Sequence, residues 1–230
     1  MKNLKSILID KIKTDGPLPL SNYIEQCLLH PSYGYYMKEP VFGIKGDFTT
    51  APEISQMFGE LLAFSILQTW IDQGSPSKII LAELGPGRGT MMADILRTLK
   101  NYPGFLNATE IHLIEASPNL RSVQEKTLAG YKISWHKKLP SFEHKHLFLV
   151  ANEFFDALPV DQFLRKGDNF FKRVVQISKD NLEFGLEEKP TQNEILKDRL
   201  TDTCDGDIVE LNIAAAEISK HIGKHITDFG

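Results

Sequence analysis

LAELGPGRGTMMADILR, residues 81–97, decides how the rest of the chain is read. An apolar run ends in Glu83, a glycine-rich turn follows, and an amphipathic helix begins at once. That succession opens a βαβ unit. Glycine lets the backbone turn tightly and approach a ligand, and the free N–H groups of the first helical turn hold polar ligand atoms. The glycines are Gly85, Gly87 and Gly89, whereas a dinucleotide fingerprint would need its third glycine where Thr90 stands, so the spacing disfavours a nicotinamide cofactor. The same rhythm continues downstream, predicting strands at 78–84, 110–115, 133–136 and 146–152 and helices at 90–100 and 118–129. These make a parallel sheet of at least four strands. Glu115 ends the second strand, 26 residues after Gly89, where a carboxylate can accept both hydroxyls of a ribose. Glycine turn and acidic strand end together point to nucleoside binding; a turn required only for packing helix on sheet is the alternative.

Upstream, residues 1–77 read as a helical, loop-rich leader. Apolar residues Leu4, Ile7, Leu8 and Ile12 have helical period, Pro17 and Pro19 stop that helix, and Ser21 is placed to cap a second one running to about Leu29. Residues 30–53 show no period and predict a long ordered loop or lid; Ser55 to Ile71 returns to a helix with Met57, Leu61, Leu62, Phe64, Ile66, Leu67 and Trp70 as its apolar stripe. Beyond the cofactor-type core at 78–160, residues 161–207 carry two turn signals, at 167–169 and 179–181, and predict an antiparallel meander with a polar loop. A strand at 208–211 and a helix from 214 to about 222 then start the C-terminal part of the core, within 208–230.

Composition narrows the class. With 42% hydrophobic and 24% charged residues, disorder and disulfide scaffolds are excluded. Lys+Arg 26 against Asp+Glu 30 gives a net charge of -4, without the basic excess of a nucleic-acid binder. The longest apolar runs, such as 147–151, fall far short of the roughly 20 residues that span a bilayer. Cys27 and Cys204 have neither metal nor redox spacing and fit a reducing cytoplasm.

ELGPGRGT, IEASPNLRSVQ at 114–124 and ANEFFDALPV at 151–160 resemble the MidA-like family of S-adenosylmethionine-dependent methyltransferases. GPLPLSNYIEQCL at 16–28, HPSYGYY at 30–36 and FGIKGDFTTAPEISQMFGE at 42–60 match it too, so the resemblance runs in order along nearly the whole chain. It implies a Rossmann-like class I methyltransferase sheet with a helical N-terminal lid and a β-meander insertion. The family includes the mitochondrial complex I assembly factor that symmetrically dimethylates an arginine of a respiratory complex I subunit. The implied cofactor is S-adenosylmethionine, with Gly85, Gly87 and Gly89 forming its loop, Glu83 beneath the methionine end and Glu115 on the ribose. The implied partner is a protein substrate such as a respiratory complex I subunit, and the implied compartment is a bacterial-type cytoplasm or, in a eukaryote, the mitochondrial matrix. Independently of the family, a cofactor cationic at sulfur and zwitterionic at methionine suits carboxylates better than the basic residues a diphosphate requires. Arg88 reads as a solvated loop side chain.

ANEFFDALPV lies at the carboxyl end of the fourth strand, where ligands bind in open parallel sheets. Asn152, Glu153 and Asp156 there are the candidate catalytic residues: carboxylates hold and charge-balance a guanidinium, and an amide oxygen orients its nitrogen. Capping of the following turn by Asn152 or Asp156 is the structural alternative. Phe154 and Phe155 wall the pocket, with at least one in the core. From the leader, Asp47 joins the catalytic candidates, Gly46 is a possible hinge, and Glu53 belongs either to a lid or, with Thr50 as cap, to a first helical turn near Pro52. Tyr33, Tyr35 and Tyr36 pack the lid onto the sheet, with binding of a partner as the alternative. No metal site is expected: His144 and His146 lack a third ligand, and His221 and His225 read as exposed. Family members continue beyond the last helix into a strand ending in a DYG-like motif and the rest of the sheet; residues 228–230 are at best a degenerate form of it, so the chain is expected to be C-terminally truncated with one sheet edge open. A noncatalytic assembly factor that retains the cofactor fold is the rival function.

Overall fold

In the computed structural model, residues 3–37, 50–142 and 146–229 are described, with side chains of the last helix to residue 226. Along the chain the elements are α1 (Leu4–Asp15), β1 (Leu18–Pro19), α2 (Leu20–Leu29), α3 (Ala51–Ile54), α4 (Gln56–Asp72), β2 (Ile79–Leu84), α5 (Thr90–Leu99), α6 (Pro103–Ala108), β3 (Thr109–Ile114), α7 (Pro118–Thr127), β4 (Ile133–His136), β5 (His146–Ala151), β6 (Asp161–Lys166), β7 (Asn169–Ser178), β8 (Asn181–Leu186), α8 (Glu194–Asp198), β9 (Ile208–Leu211) and α9 (Ile213–Phe229). They form two compact units, one of residues 1–35 with 158–217, the other of 36–157 with 218–230. The 1–77 leader of the sequence reading is therefore divided between them.

The second unit holds a four-stranded parallel sheet in the order β4-β3-β2-β5. Its register sets Leu84 level with Ile114 and with Ala151, so three strand ends form one rim. Alternate residues of a strand face opposite ways. Ile79 and Leu81 join Ile111 and Leu113 beneath Met92, Ile95, Leu96 and Leu99 of α5; Ile80, Ala82 and Leu84 join Ile114 and Phe142 on the other face, with Ile218 and Ile222 of α9 packed there. Being covered on both faces, β2 is buried from end to end, which is why its sequence is an unbroken apolar run as far as Glu83. Phe105 of α6, a helix that the sequence reading did not pick out, is fully buried between the rings of Trp70 and Phe148 at 5.4 and 6.4 Å.

Helix α4 buries Gly59, Ala63, Ile66 and Leu67, while Met57, Leu61 and Phe64 of the expected stripe are exposed. The small residues prevail because they let α4 approach α5: a Cβ on Gly59 would lie 2.6 Å from Asp94 Cβ. Ser55 caps α4 by accepting from the Met57 N–H, as a serine at that position should. Thr50 occupies the N-cap position of α3 but makes no side-chain cap bond.

In the first unit β7 is the long central strand. Its first half pairs antiparallel with β6, its second half with β8, and Val174 and Val175 also pair with β1. The expected meander is present with both turns where Gly167 and Lys179-Asp180 supply positive φ. Ile208–Leu211, read from sequence as the return into the core, pairs instead with β6 in this antiparallel sheet. Ser21 does not cap α2, which starts at Leu20; its backbone N–H donates to buried Asp161, which also holds Lys172 at 2.8 Å.

Helix α9 runs to Phe229, so residues 224–229 are helical and not a degenerate strand. Ile218, Ile222 and His225 recur at helical spacing, which puts His225 on the packed face; it is buried, against expectation, while His221 is exposed. Gly46, Asp47 and His144 lie outside the described residues.

Candidate functional site

At the rim, β2 ends with the buried Glu83 and Leu84, and the turn at 85–89 follows at once. Gly85, Gly87 and Gly89 have φ of 61°, 54° and 81°, a left-handed path that costs a side-chain-bearing residue about 1–2 kcal/mol at each point. The turn is fixed at both ends: the Gly85 N–H donates to the Ile114 carbonyl at 3.0 Å, and the Gly89 N–H to the Pro86 carbonyl at 2.7 Å. A Cβ on Gly85 would meet Phe154 Cδ2 at 2.7 Å, so the residue after the β5 rim closes over the turn.

Glu53 of α3 clasps the start of α5. It accepts from Thr90 Oγ1 at 2.6 Å and from the Arg88 guanidinium at 3.2 Å. Arg88, expected as a solvated side chain, is thereby tied to a carboxylate. A carboxylate at a helix N-terminus also suits the positive end of the helix dipole.

Glu83 and Glu115 are both buried. Burial pushes the Glu83 carboxyl up to about 8, and the nearby Glu115 charge pushes the same way. One Glu83 oxygen, Oε2, has no hydrogen-bond partner among the described residues. Glu115 is differently placed. Its carboxyl is raised by burial, against the pull of hydrogen bonds from Ser117, Gln124 and Ala116 and of the Arg121 charge. Oε1 accepts from the Ser117 N–H at 2.7 Å, Oε2 from Gln124 Nε2 at 3.2 Å, and its own N–H donates to the His136 carbonyl at 2.8 Å.

Asn152, Glu153 and Asp156 follow β5 on the same rim. Glu153 is exposed and held at φ 49°, a strained position for a residue with a side chain. Asp156 sits in a short 3-10 turn at Phe155–Ala157. Phe154 and Phe155 stack edge to face at 5.4 Å and pack on the sheet. The Tyr36 hydroxyl is pushed up by burial and then by the Asp156 and Glu115 charges, so it is within electrostatic reach of both acids. Its carbonyl accepts from Ser117 Oγ at 3.1 Å. The sequence reading did not single out Ser117 or Gln124, and it took Tyr36 for lid packing.

Two buried carboxylates, Glu83 and Glu115, thus flank a left-handed glycine turn at the carboxyl ends of the parallel strands, with the Arg121 charge acting on Glu115. The chain belongs to the family described as "Putative S-adenosyl-L-methionine-dependent methyltransferase", whose model matches residues 61–230. It is 34% identical over 97% of its length to the Xenopus laevis "Protein arginine methyltransferase NDUFAF7, mitochondrial", and 36% identical over 81% to the human protein of that name. A superfamily member from Burkholderia thailandensis, whose crystal structure contains S-adenosyl-homocysteine, superposes with a TM-score of 0.78 at 27% identity over 95% of this chain. The chain spans 57% of the Xenopus protein, 48% of the human one and 58% of the bacterial structure. Among the described residues no helix is long and apolar enough to cross a membrane, and no group of three or more His, Cys, Asp or Glu residues could hold a metal ion.

Proposed function

We propose that this chain binds S-adenosylmethionine and transfers its methyl group to a protein arginine. The observation that carries the reading is Glu83: a buried carboxylate with an unpartnered oxygen is costly unless a cation meets it, and the methionine ammonium of the cofactor is such a cation. Glu115, its lone pairs partly fixed by Ser117 and Gln124, holds the ribose hydroxyls. The left-handed glycines 85, 87 and 89 let the backbone close on the ligand without a side chain in the way.

When bound, S-adenosylmethionine supplies an electrophilic methyl on a sulfonium. What remains for the protein is to bring a guanidinium nitrogen into line and balance its charge. Glu153 and Asp156 hold the guanidinium, and Asn152 orients the attacking nitrogen through its amide oxygen; Asp47, outside the described residues, is a further acidic candidate on the resemblance alone. The free guanidinium keeps its proton at any physiological pH, so positioning comes first; as the N–C bond forms and the S–C bond breaks, the attacking nitrogen sheds one proton, for which Glu153 and Asp156 are the acceptors. The relatives are named as mitochondrial protein arginine methyltransferases, which favours a protein arginine as acceptor; the family resemblance makes a subunit of respiratory complex I the acceptor we propose, and in a bacterium the same reaction falls in the cytoplasm.

Labelled methyl transfer from S-adenosylmethionine to proteins of a cell extract tests the activity, with arginine analysis of the product. Glu153→Gln should lower turnover at least tenfold, equivalent to about 1.4 kcal/mol, and leave cofactor affinity within twofold. Transfer to lysine or no transfer at all by a cofactor-binding protein would refute the arginine reading; the latter would favour a noncatalytic assembly factor.

A further inference from the structure

We infer that Gln124, on the face of α7 turned towards the sheet, is a positioning residue that locks the glycine turn and the ribose carboxylate into one preformed cradle, with Trp135 fixing the orientation of its amide. The inference rests on the reading of Glu115 as the ribose ligand.

Gln124 is fully buried in the middle of a helix, where an amide is costly unless every polar atom has a partner. Each does. Its Nε2 carries two hydrogens: one is donated to the Gly87 carbonyl at 2.8 Å, the other to Glu115 Oε2 at 3.2 Å. Its Oε1 accepts from the Trp135 indole N–H at 3.0 Å. An indole nitrogen can only donate, so the oxygen must face Trp135 and the NH2 must face the turn and the carboxylate. Reversing the amide would set donor against donor at Trp135 and acceptor against acceptor at Gly87 and Glu115. The stem is also in place: a Cβ added to Gly89 would lie 3.4 Å from Gln124 Cγ, ordinary van der Waals distance, so the glutamine stem packs beside the end of the turn.

One side chain thus hydrogen-bonds the glycine turn at Gly87, the carboxylate that follows β3 and a tryptophan of β4. Ser117 N–H fixes Glu115 Oε1 and Gln124 fixes Oε2, which together set the plane of the carboxylate before any ligand arrives. A preformed acceptor does not have to be ordered at the moment of binding, and the gain appears in affinity for exactly the group it accepts.

The test is a ligand cycle. S-adenosylhomocysteine and its 2′-deoxy analogue are titrated into wild type, Gln124→Met, Trp135→Phe and Glu115→Ala, with melting curves to establish that each is folded. Methionine keeps the length of the side chain and removes all three hydrogen bonds; Trp135→Phe keeps the glutamine and removes only the donor that orients it. The expected result is that Gln124→Met binds S-adenosylhomocysteine about tenfold more weakly but the 2′-deoxy analogue less than threefold more weakly. Trp135→Phe should show the same preference at smaller size, and decides the matter if Gln124→Met does not fold. Equal losses for both ligands would reduce Gln124 to a structural residue and overturn the inference, as would unchanged affinities. If Glu115→Ala also loses the same factor for both ligands, the ribose reading itself has failed; if Glu115→Ala discriminates and Gln124→Met does not, only the positioning role has.

Discussion

Replacing Glu83 by Gln removes one ionisable group from the floor of the cradle and should change how both stability and cofactor affinity respond to pH. A carboxyl raised from 4.5 to about 8 keeps its proton in the folded protein through a range where the unfolded chain has lost it. The unfolded state therefore binds fewer protons, and stability of the ligand-free protein falls as pH rises from about 5 through about 8. At about 1.4 kcal/mol per pH unit, the full distance amounts to roughly 5 kcal/mol, an upper figure because water and small backbone shifts relieve a buried charge. Binding of a cation has the opposite dependence. With the carboxyl titrating near 8, only about 3% is ionised at pH 6.5 and about three quarters at pH 8.5, so affinity for S-adenosylhomocysteine should rise roughly 25-fold over that interval. Glu83→Gln has no proton to lose. Its melting temperature should be the less pH-dependent of the two, and its affinity curve should be flatter than wild type, with any titration of the ligand common to both. Titration calorimetry in two buffers of different ionisation heat reads the proton released on binding. Parallel melting and affinity curves for the two proteins between pH 6.5 and 8.5 would refute the reasoning, because Glu83 would then not be the buried acid that meets the ligand.

Gly85→Ala should destabilise the turn by about 1–2 kcal/mol from its left-handed φ alone and weaken S-adenosylhomocysteine binding, because the new Cβ must displace Phe154; denaturant melts and calorimetry check the two effects. Glu53→Ala removes the clasp on Thr90 and Arg88 and should cost about 1.5–3 kcal/mol of stability, with a smaller loss of affinity than Glu115→Ala produces; chemical denaturation measures it.

The parallel sheet was legible because its strands are short apolar runs bounded by turn residues, unbroken as far as Glu83 in 79–84, which is buried on both faces, and nearly so in 146–151, which is half-buried. Glu83 and Glu115 stood out as acids ending such runs. Gln124 did not, since a glutamine inside PNLRSVQEKT reads as a solvated helix position and only the fold brings Gly87, Glu115 and Trp135 around it. Strand pairing across long separations was equally hidden: nothing local in Ile208–Leu211 says that its partner is Asp161–Leu164, or that Leu18–Pro19 extends the same sheet. On α4 the large apolar side chains drew the eye, whereas close approach to α5 is governed by Gly59 and Ala63. The buried His225 illustrates the converse error, a polar residue assigned to solvent by type although its spacing from Ile218 and Ile222 places it inward.

The central claim is that the acidic cradle at Glu83, Glu115 and the glycine turn takes the adenosyl amino acid of a methyl donor or of its demethylated product. Equilibrium titration of the purified chain with S-adenosylhomocysteine, beside NAD and beside the Glu115→Ala variant, tests it most directly. The account predicts saturable binding of S-adenosylhomocysteine at one site, weakened in Glu115→Ala by at least tenfold, and no saturable binding of NAD. A folded chain that ignores S-adenosylhomocysteine, or binds NAD equally well, would contradict it.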